Sequence, residues 1–229
     1  MKKVDEEKIK KFWDKRAKKY GEVSFHAVTT FSEGKDVEKR DELEKKEIKK
    51  HLDFSNDRNI IDLGCGIGRI AIDLSPYVDF VLAVDYSQPL VDIGRAEVKK
   101  RSIKNVEFLC YSSSDFLYDK AFDAVVICGL FNNINDETVE KTIDNINRHL
   151  KSNGKVILKE SVGIEKRFEI IDKFSEEIGT IYNSIYRTPD ELIEMFMKGG
   201  FRVKVSKKML QHRKETGFWF FVFEKATNV

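Results

Sequence analysis

The chain has 229 residues, enough for one well-buried α/β domain and short for two of ordinary size. Charged residues make up 35% of it, against about 25% in an ordinary globular chain, yet 41 basic and 39 acidic side chains leave a net charge of only +2. That near-zero net charge gives no overall electrostatic footprint for nucleic acid, which disfavours a DNA or RNA substrate, and no apolar run approaches the ~18 residues of a membrane span.

The first residues, MKKVDEEKIKKFWDKRAKKY, are charged from the start and carry no apolar signal segment. Cys65, Cys110 and Cys128 are an odd number, far apart and without C-x-x-C spacing, as expected of free thiols in a reducing compartment. The expectation is a cytoplasmic protein with neither nucleic-acid nor membrane partners. Its oligomeric state stays open.

In chain order, residues 5–20 and 36–52 read as helices whose many charges form a solvated face, the second with Asp41/Lys45 and Glu42/Lys46 pairs at i,i+4. Trp13, Arg16 and Tyr20 recur at helical spacing. They either pack one helix face on the core or form a lid in which Tyr20 closes over a ligand. Short apolar runs follow at Asn59–Leu63, Phe80–Val84, Val106–Leu109, Ala124–Cys128 and Lys155–Lys159, alternating with amphipathic stretches, which is the βαβ signature of a parallel sheet. The clearest helix is Asp136–Leu150, with Val139, Ile143, Ile146 and Leu150 in one stripe and Asp136 as cap. Asn153-Gly154 then turns the chain. Residues 164–178 read as helix, and Pro189–Lys198 as a helix capped by Thr188 with Pro189 in its first turn. Phe201–Met209 and Gly217–Lys225, joined by Gln211–Thr216, read as an antiparallel hairpin. One domain over 1–229 is expected, divided into a helical lid or extension (1–54), a cofactor-binding core (55–160), and acceptor-side helices with the hairpin (161–229).

The strongest local signal is Ile60-Ile61-Asp62-Leu63-Gly64-Cys65-Gly66-Ile67-Gly68-Arg69, a strand running into glycines and then a helix. Glycines let the backbone turn tightly and let a ligand approach the main chain. The stretch also contains Gly66-x-Gly68-x-x-Ala71, with Asp85 near the end of the next strand, so a nicotinamide or flavin dinucleotide must be weighed. A pyrophosphate wants bare N–H groups at a helix start, and Asp62 would repel it. A ligand carrying an ammonium and a sulfonium would instead find a complementary charge there. Asp85 serves either ligand, since a carboxylate accepts hydrogen bonds from both ribose hydroxyls.

At these residues the sequence resembles the class I S-adenosylmethionine-dependent methyltransferases over roughly 55–225, including their D/E-x-G-x-G-x-G pattern as Asp62-Leu63-Gly64-Cys65-Gly66-Ile67-Gly68. The resemblance implies an α/β, Rossmann-like, doubly wound, mostly parallel sheet with a C-terminal antiparallel hairpin and an N-terminal helical extension. It implies S-adenosylmethionine as cofactor, with Asp62, Gly64, Cys65 and Gly66 lining the methionine portion, Asp85 holding the ribose, and Tyr20, Tyr86 and Cys128 at the same site. Relatives often carry Gly-Asp-Ala after the third strand. Here Tyr111-Ser112-Ser113-Ser114-Asp115 stands in that place, so adenine would meet Ser112 and Ser113, or Asp115.

The acceptor is expected beyond the carboxyl ends of the strands. Residues 129–133, with Asn132 a substrate ligand, and Glu160 lie there. Glu160 is a candidate base or substrate ligand, and Arg187 a candidate holder of an anionic acceptor through bidentate hydrogen bonds. Lys159-Glu160-Ser161 with Tyr186-Arg187-Thr188-Pro189-Asp190 resembles small-molecule methyltransferases, including saccharide-modifying ones. The chain lacks Asn/Asp-Pro-Pro-Tyr and any clustered carboxylates for a metal, so no metal is expected. His26 and His212, in irregular segments, are candidate bases, whereas His51 and His149 read as exposed helix positions. The expected function is methyl transfer to an oxygen or nitrogen of a small-molecule acceptor. A nicotinamide-dependent oxidoreductase, a non-catalytic S-adenosylmethionine-binding protein and an aminopropyl transferase remain as alternatives.

Overall fold

The structure, a computed structural model, describes residues 3–21, 25–28, 35–176, 179–211 and 213–226. Its elements in chain order begin with α1 (Glu6–Tyr20), a 3-10 turn (Phe25–Val28) and α2 (Lys35–Lys50). The core alternates β1 (Asn59–Leu63), α3 (Arg69–Leu74), β2 (Phe80–Asp85), α4 (Gln88–Lys100), β3 (Val106–Cys110), β4 (Phe122–Cys128), α5 (Asp136–His149) and β5 (Leu150–Gly163). It closes with β6 (Phe168–Ser175), β7 (Thr180–Tyr186), α6 (Pro189–Lys198), β8 (Phe201–Gln211) and β9 (Thr216–Lys225).

Seven strands form one sheet in the order β3-β2-β1-β4-β5-β9-β8. β1 to β5 run parallel, and β9 pairs antiparallel with both β5 and β8. Strand alternation divides the central side chains between two faces. Ile61, Leu63, Val125, Ile127, Val156 and Leu158 pack with Val139, Ile143 and Phe196 of α5 and α6. Ile60, Val126 and Ile157 pack on the other face with Ile48, Ile70, Leu74 and Val91 of α2, α3 and α4. Both faces are covered, which is why these strands are apolar throughout. The order reverses between β1 and β4, and such a switch point opens a crevice at the strands' carboxyl ends.

The expected helix over 164–178 is replaced by β6, which pairs with β7 as a separate two-stranded antiparallel hairpin. The register shifts between Ile170 and Lys173, and Asp172 lies there with φ 48°. This bulge breaks the two-residue alternation, so Phe168, Ile171 and Phe174 fall at three-residue spacing and mimic a helical stripe. Asn135, not Asp136, caps α5, while Thr188 and Glu191 form the reciprocal capping box at the start of α6. His149 is buried rather than exposed: the Tyr118 N–H donates to its Nε2 at 3.2 Å, and Nδ1 lies 2.9 Å from the Asn145 carbonyl.

Phe196 of α6 is fully buried, its ring stacked on Phe223 at 4.0 Å between centroids and near Phe131 at 6.0 Å. Phe196→Ala would empty that space and is expected to cost about 3–5 kcal/mol of unfolding free energy, measured by urea titration.

Candidate functional site

The crevice at the β1/β4 switch point is a cavity of about 130 Å³. One wall is the glycine turn. Gly64, Gly66 and Gly68 have φ of 73°, 55° and 78°, a region that side chains with a Cβ rarely occupy. A Cβ on Gly66 would stand 2.6 Å from Val28 Cγ1, and one on Gly64 would stand 3.1 Å from Leu130 Cβ. Bare backbone therefore faces the cleft where the 25–28 turn and the 129–133 segment close over it.

Two carboxylates sit in this wall. Asp62 is 2% exposed and accepts the Ala71 N–H of α3 at 3.0 Å. Burial raises its pKa to about 7, against the opposing pull of Arg69 and of that hydrogen bond. Asp85 accepts the N–H groups of Gly66 and Ser87, both at 2.9 Å, and burial raises its pKa to about 6 despite them. Next to it, the phenolic oxygen of Tyr86 is buried against the cleft and has no hydrogen-bond partner among the described residues. Cys65 and Cys128 also line the cleft. Burial raises both thiols, Cys128 to about 12, so they stand there as neutral groups.

The opposite side is built by distant elements. From α1, Trp13 lines the cleft and donates its indole N–H to Asn133 Oδ1 at 3.3 Å, while Asp14 accepts the Ser87 hydroxyl at 2.5 Å. From α2, Arg40 and Glu44 reach inward. Glu44 is 1% exposed, with Lys159 Nζ and Arg69 Nη2 each 2.6 Å from it. Burial alone would raise its pKa, but Lys159 and Arg69 overcome this and hold it down to about 2. Arg40 and Lys159 also lie over the Phe218 ring, at 5.2 and 4.3 Å. Tyr182, Tyr186 and Ser161 complete this side.

Of the expected residues, the fold brings Asp62, Gly64, Cys65, Gly66, Asp85, Tyr86, Cys128 and Asn132 to the cleft. It corrects several others. Arg187 is 2% exposed and its guanidinium is spent internally: it donates to the carbonyls of Phe131 at 2.6 Å and Ile134 at 2.9 Å and pairs with Asp136 at 2.6 Å. Glu160 faces away from Lys159 by strand alternation and accepts the N–H groups of Phe131 at 2.7 Å and Ser161 at 3.0 Å. Burial raises its pKa to about 7. Asn132 lines the cleft, but its amide donates to the carbonyls of Ser161 and Ile185. These three side chains fasten the 131–134 turn that forms the cleft wall, and neither Arg187 nor Glu160 lines the cleft itself.

Tyr20 does not line the cleft. Its ring carries the Arg16 guanidinium at 5.0 Å and packs on the Ala17, Ile67 and Leu90 cluster, leaving Trp13 as the aromatic of α1 over the site. Ser112, Ser113 and Asp115 are likewise outside it. Ser112 bonds Ser114, Ser113 bonds Thr142, and Asp115 accepts the Ser114 hydroxyl. His212 and the His26 side chain lie outside the described residues. No group of three or more His, Cys, Asp or Glu that could hold a metal occurs among the described residues.

Residues 60–154 match the family model described as "Methyltransferase domain". The match runs from β1 into β5, the part of the sheet that holds the glycine turn and Asp85. The chain is similar to phosphoethanolamine N-methyltransferase 1 of Triticum aestivum, 27% identical over 161 residues covering 69% of this chain and 31% of that protein. It is also similar to demethylmenaquinone methyltransferase of Lactococcus lactis subsp. lactis (strain IL1403), 30% identical over 162 residues covering 69% of this chain and 60% of the relative. The chain thus spans less than two thirds of the length of either. In fold it matches the structure of DhpI with S-adenosylhomocysteine, with a TM-score of 0.68 at 20% identity over 97% of this chain and 98% of that one.

If Arg187 fastens the cleft turn, Arg187→Met leaves the carbonyls of Phe131 and Ile134 without their buried donor and Asp136 with Arg167 alone. The expected loss is about 2–4 kcal/mol of stability in denaturant titration. An acceptor ligand facing solvent would leave the midpoint within about 0.5 kcal/mol.

Proposed function

We propose that the chain transfers a methyl group from S-adenosylmethionine to an oxygen or nitrogen of a small-molecule acceptor. The observation that carries this reading is the convergence of the bare glycine turn, Asp62 and Asp85 on one cleft. The residues suit the cofactor. Asp62 is a buried carboxylate that accepts one hydrogen bond among the described residues, from the Ala71 N–H, and offers a cationic methionine portion a charge partner. Asp85 keeps lone pairs for ribose hydroxyls beyond its two backbone N–H bonds, and the unpartnered Tyr86 hydroxyl adds a further polar contact.

When bound, S-adenosylmethionine supplies an electrophilic methyl on a sulfonium. The work left to the chain is to hold an acceptor in line and exclude water. Trp13, Tyr182, Tyr186 and Phe218 provide apolar surface for this, and Lys159 with Arg40 brings cations to the acceptor side. The relatives' names, phosphoethanolamine N-methyltransferase and demethylmenaquinone methyltransferase, support a small-molecule acceptor. The resemblance to saccharide-modifying enzymes lay in Lys159-Glu160-Ser161 and Tyr186-Arg187-Thr188-Pro189-Asp190, of which Glu160 and Arg187 bond the cleft turn rather than line the cleft. A pyrophosphate-bearing nicotinamide would have to sit against Asp62, which disfavours the oxidoreductase alternative.

Titration calorimetry should show S-adenosylhomocysteine binding, at least tenfold weaker in Asp85→Ala, with no nicotinamide dinucleotide binding. The reverse ligand preference would end the proposal. The pH dependence is equally specific. A cationic ligand needs Asp62 ionised, and its pKa in the free protein is raised to about 7. Below that pH, ligand binding must expel a proton, so affinity should fall by up to about tenfold per pH unit as pH drops from 7 to 5.5. Above pH 8 it should level off, and in Asp62→Asn the slope should flatten.

A further inference from the structure

A second cavity of about 670 Å³ lies outside the cleft, between α1 and β7. One wall is basic: Lys8, Lys11, Lys15 and Lys19 follow one another at three- and four-residue spacing along one face of α1, with Arg16 beside them. Among the described residues lining it, Asp172 is the one carboxylate, and it is occupied by Lys8 at 3.0 Å. Lys11 and Lys15 are exposed and make no ion pair among the described residues, and Lys19 meets the Tyr20 ring at 5.1 Å. Tyr182 and Asn133 line both this groove and the cleft, so the two spaces adjoin.

With Lys8 held by Asp172, the three further lysines Lys11, Lys15 and Lys19 line this cavity with no other carboxylate among its described lining residues, and together they form a site for a multiply charged anion. A monocarboxylate would leave most of that charge unanswered, whereas a phosphate ester or diphosphate presents two or more negative charges to lysines, which bind phosphate as point charges. We propose that the α1–β7 groove binds the phosphate-bearing portion of the acceptor, whose methylated atom enters the cleft past Tyr182 and Asn133. This rests on the methyl-transfer reading and adds the acceptor's chemical class to it. Because these lysines line a cavity between α1 and β7, a soluble ester suits them better than a lipid surface, which would meet a convex face.

The probe is inorganic pyrophosphate, titrated calorimetrically into the full chain with and without saturating S-adenosylhomocysteine. Wild type is expected to bind at submillimolar concentration in both states, since groove and cleft are separate. Lys11→Glu/Lys15→Glu should bind at least tenfold more weakly, and Lys11→Arg/Lys15→Arg within about threefold of wild type, both keeping wild-type melting temperature and S-adenosylhomocysteine affinity. Pyrophosphate that competes with S-adenosylhomocysteine, or that binds the Glu variant as tightly as wild type, would overturn the proposal. So would sedimentation with phosphatidylglycerol vesicles in a protein that ignores pyrophosphate, which would make the basic face a membrane contact. Loss of S-adenosylhomocysteine binding in wild type would instead strike the methyl-transfer reading itself.

Discussion

Burying a carboxylate at the carboxyl end of a central strand is costly, and the organisation of the cleft follows from how Asp62 is accommodated. The residue points to the same face as Ile60, toward α2 and α3, where desolvation pushes its pKa to about 7. One N–H from the first turn of α3 and the nearby charge of Arg69 offset part of that cost. Arg69 is in turn held by Asp41 and Glu44 of α2, and Glu44 by Lys159 of β5. A chain of buried charge thus runs from the glycine turn to the opposite wall of the cleft and ties α2 to the sheet. Buried ion pairs of this kind add little net stability, but removing one partner leaves the others exposed to an unfavourable medium, so the geometry is held tightly.

The glycine-turn wall of this cleft was legible because it is local. Asp62, Gly64 and Gly66 fall within five residues, and Asp85 and Tyr86 end the adjacent strand, so the motif and the strand order suffice to bring them together. The parallel sheet and the closing hairpin were readable for the same reason, from apolar runs separated by amphipathic helices. The β6–β7 hairpin was not, since the bulge at Asp172 converts an alternating pattern into an apparent helical one.

The opposite wall was largely hidden because α1, α2, β5, β7 and β9 each contribute one or two side chains. The charges of α2 read as a solvated face, yet Arg40 and Glu44 turn inward, where the counter-charges of Arg69 and Lys159 make burial tolerable. Lys159 and Glu160 are neighbours on one strand, and alternation sends only one of them to the cleft. With Ile157 assigned to the α2 face, Lys159 and Ser161 follow it and Glu160 must face α5, a signal present in the sequence once the sheet's two sides are distinguished. Arg187 has no such signal. A lone arginine before a helix cap reads equally well as an anion ligand, and only the fold reveals that it closes the 131–134 turn.

In the function proposed above, the Asp62 charge selects a cationic methionine portion and Asp85 holds the ribose. A crystal structure with S-adenosylhomocysteine tests this most directly. The ligand's ammonium is expected within about 4 Å of an Asp62 carboxylate oxygen and its ribose hydroxyls on Asp85. A ligand bound with its ammonium remote from Asp62, or with its ribose on groups other than Asp85, would contradict it.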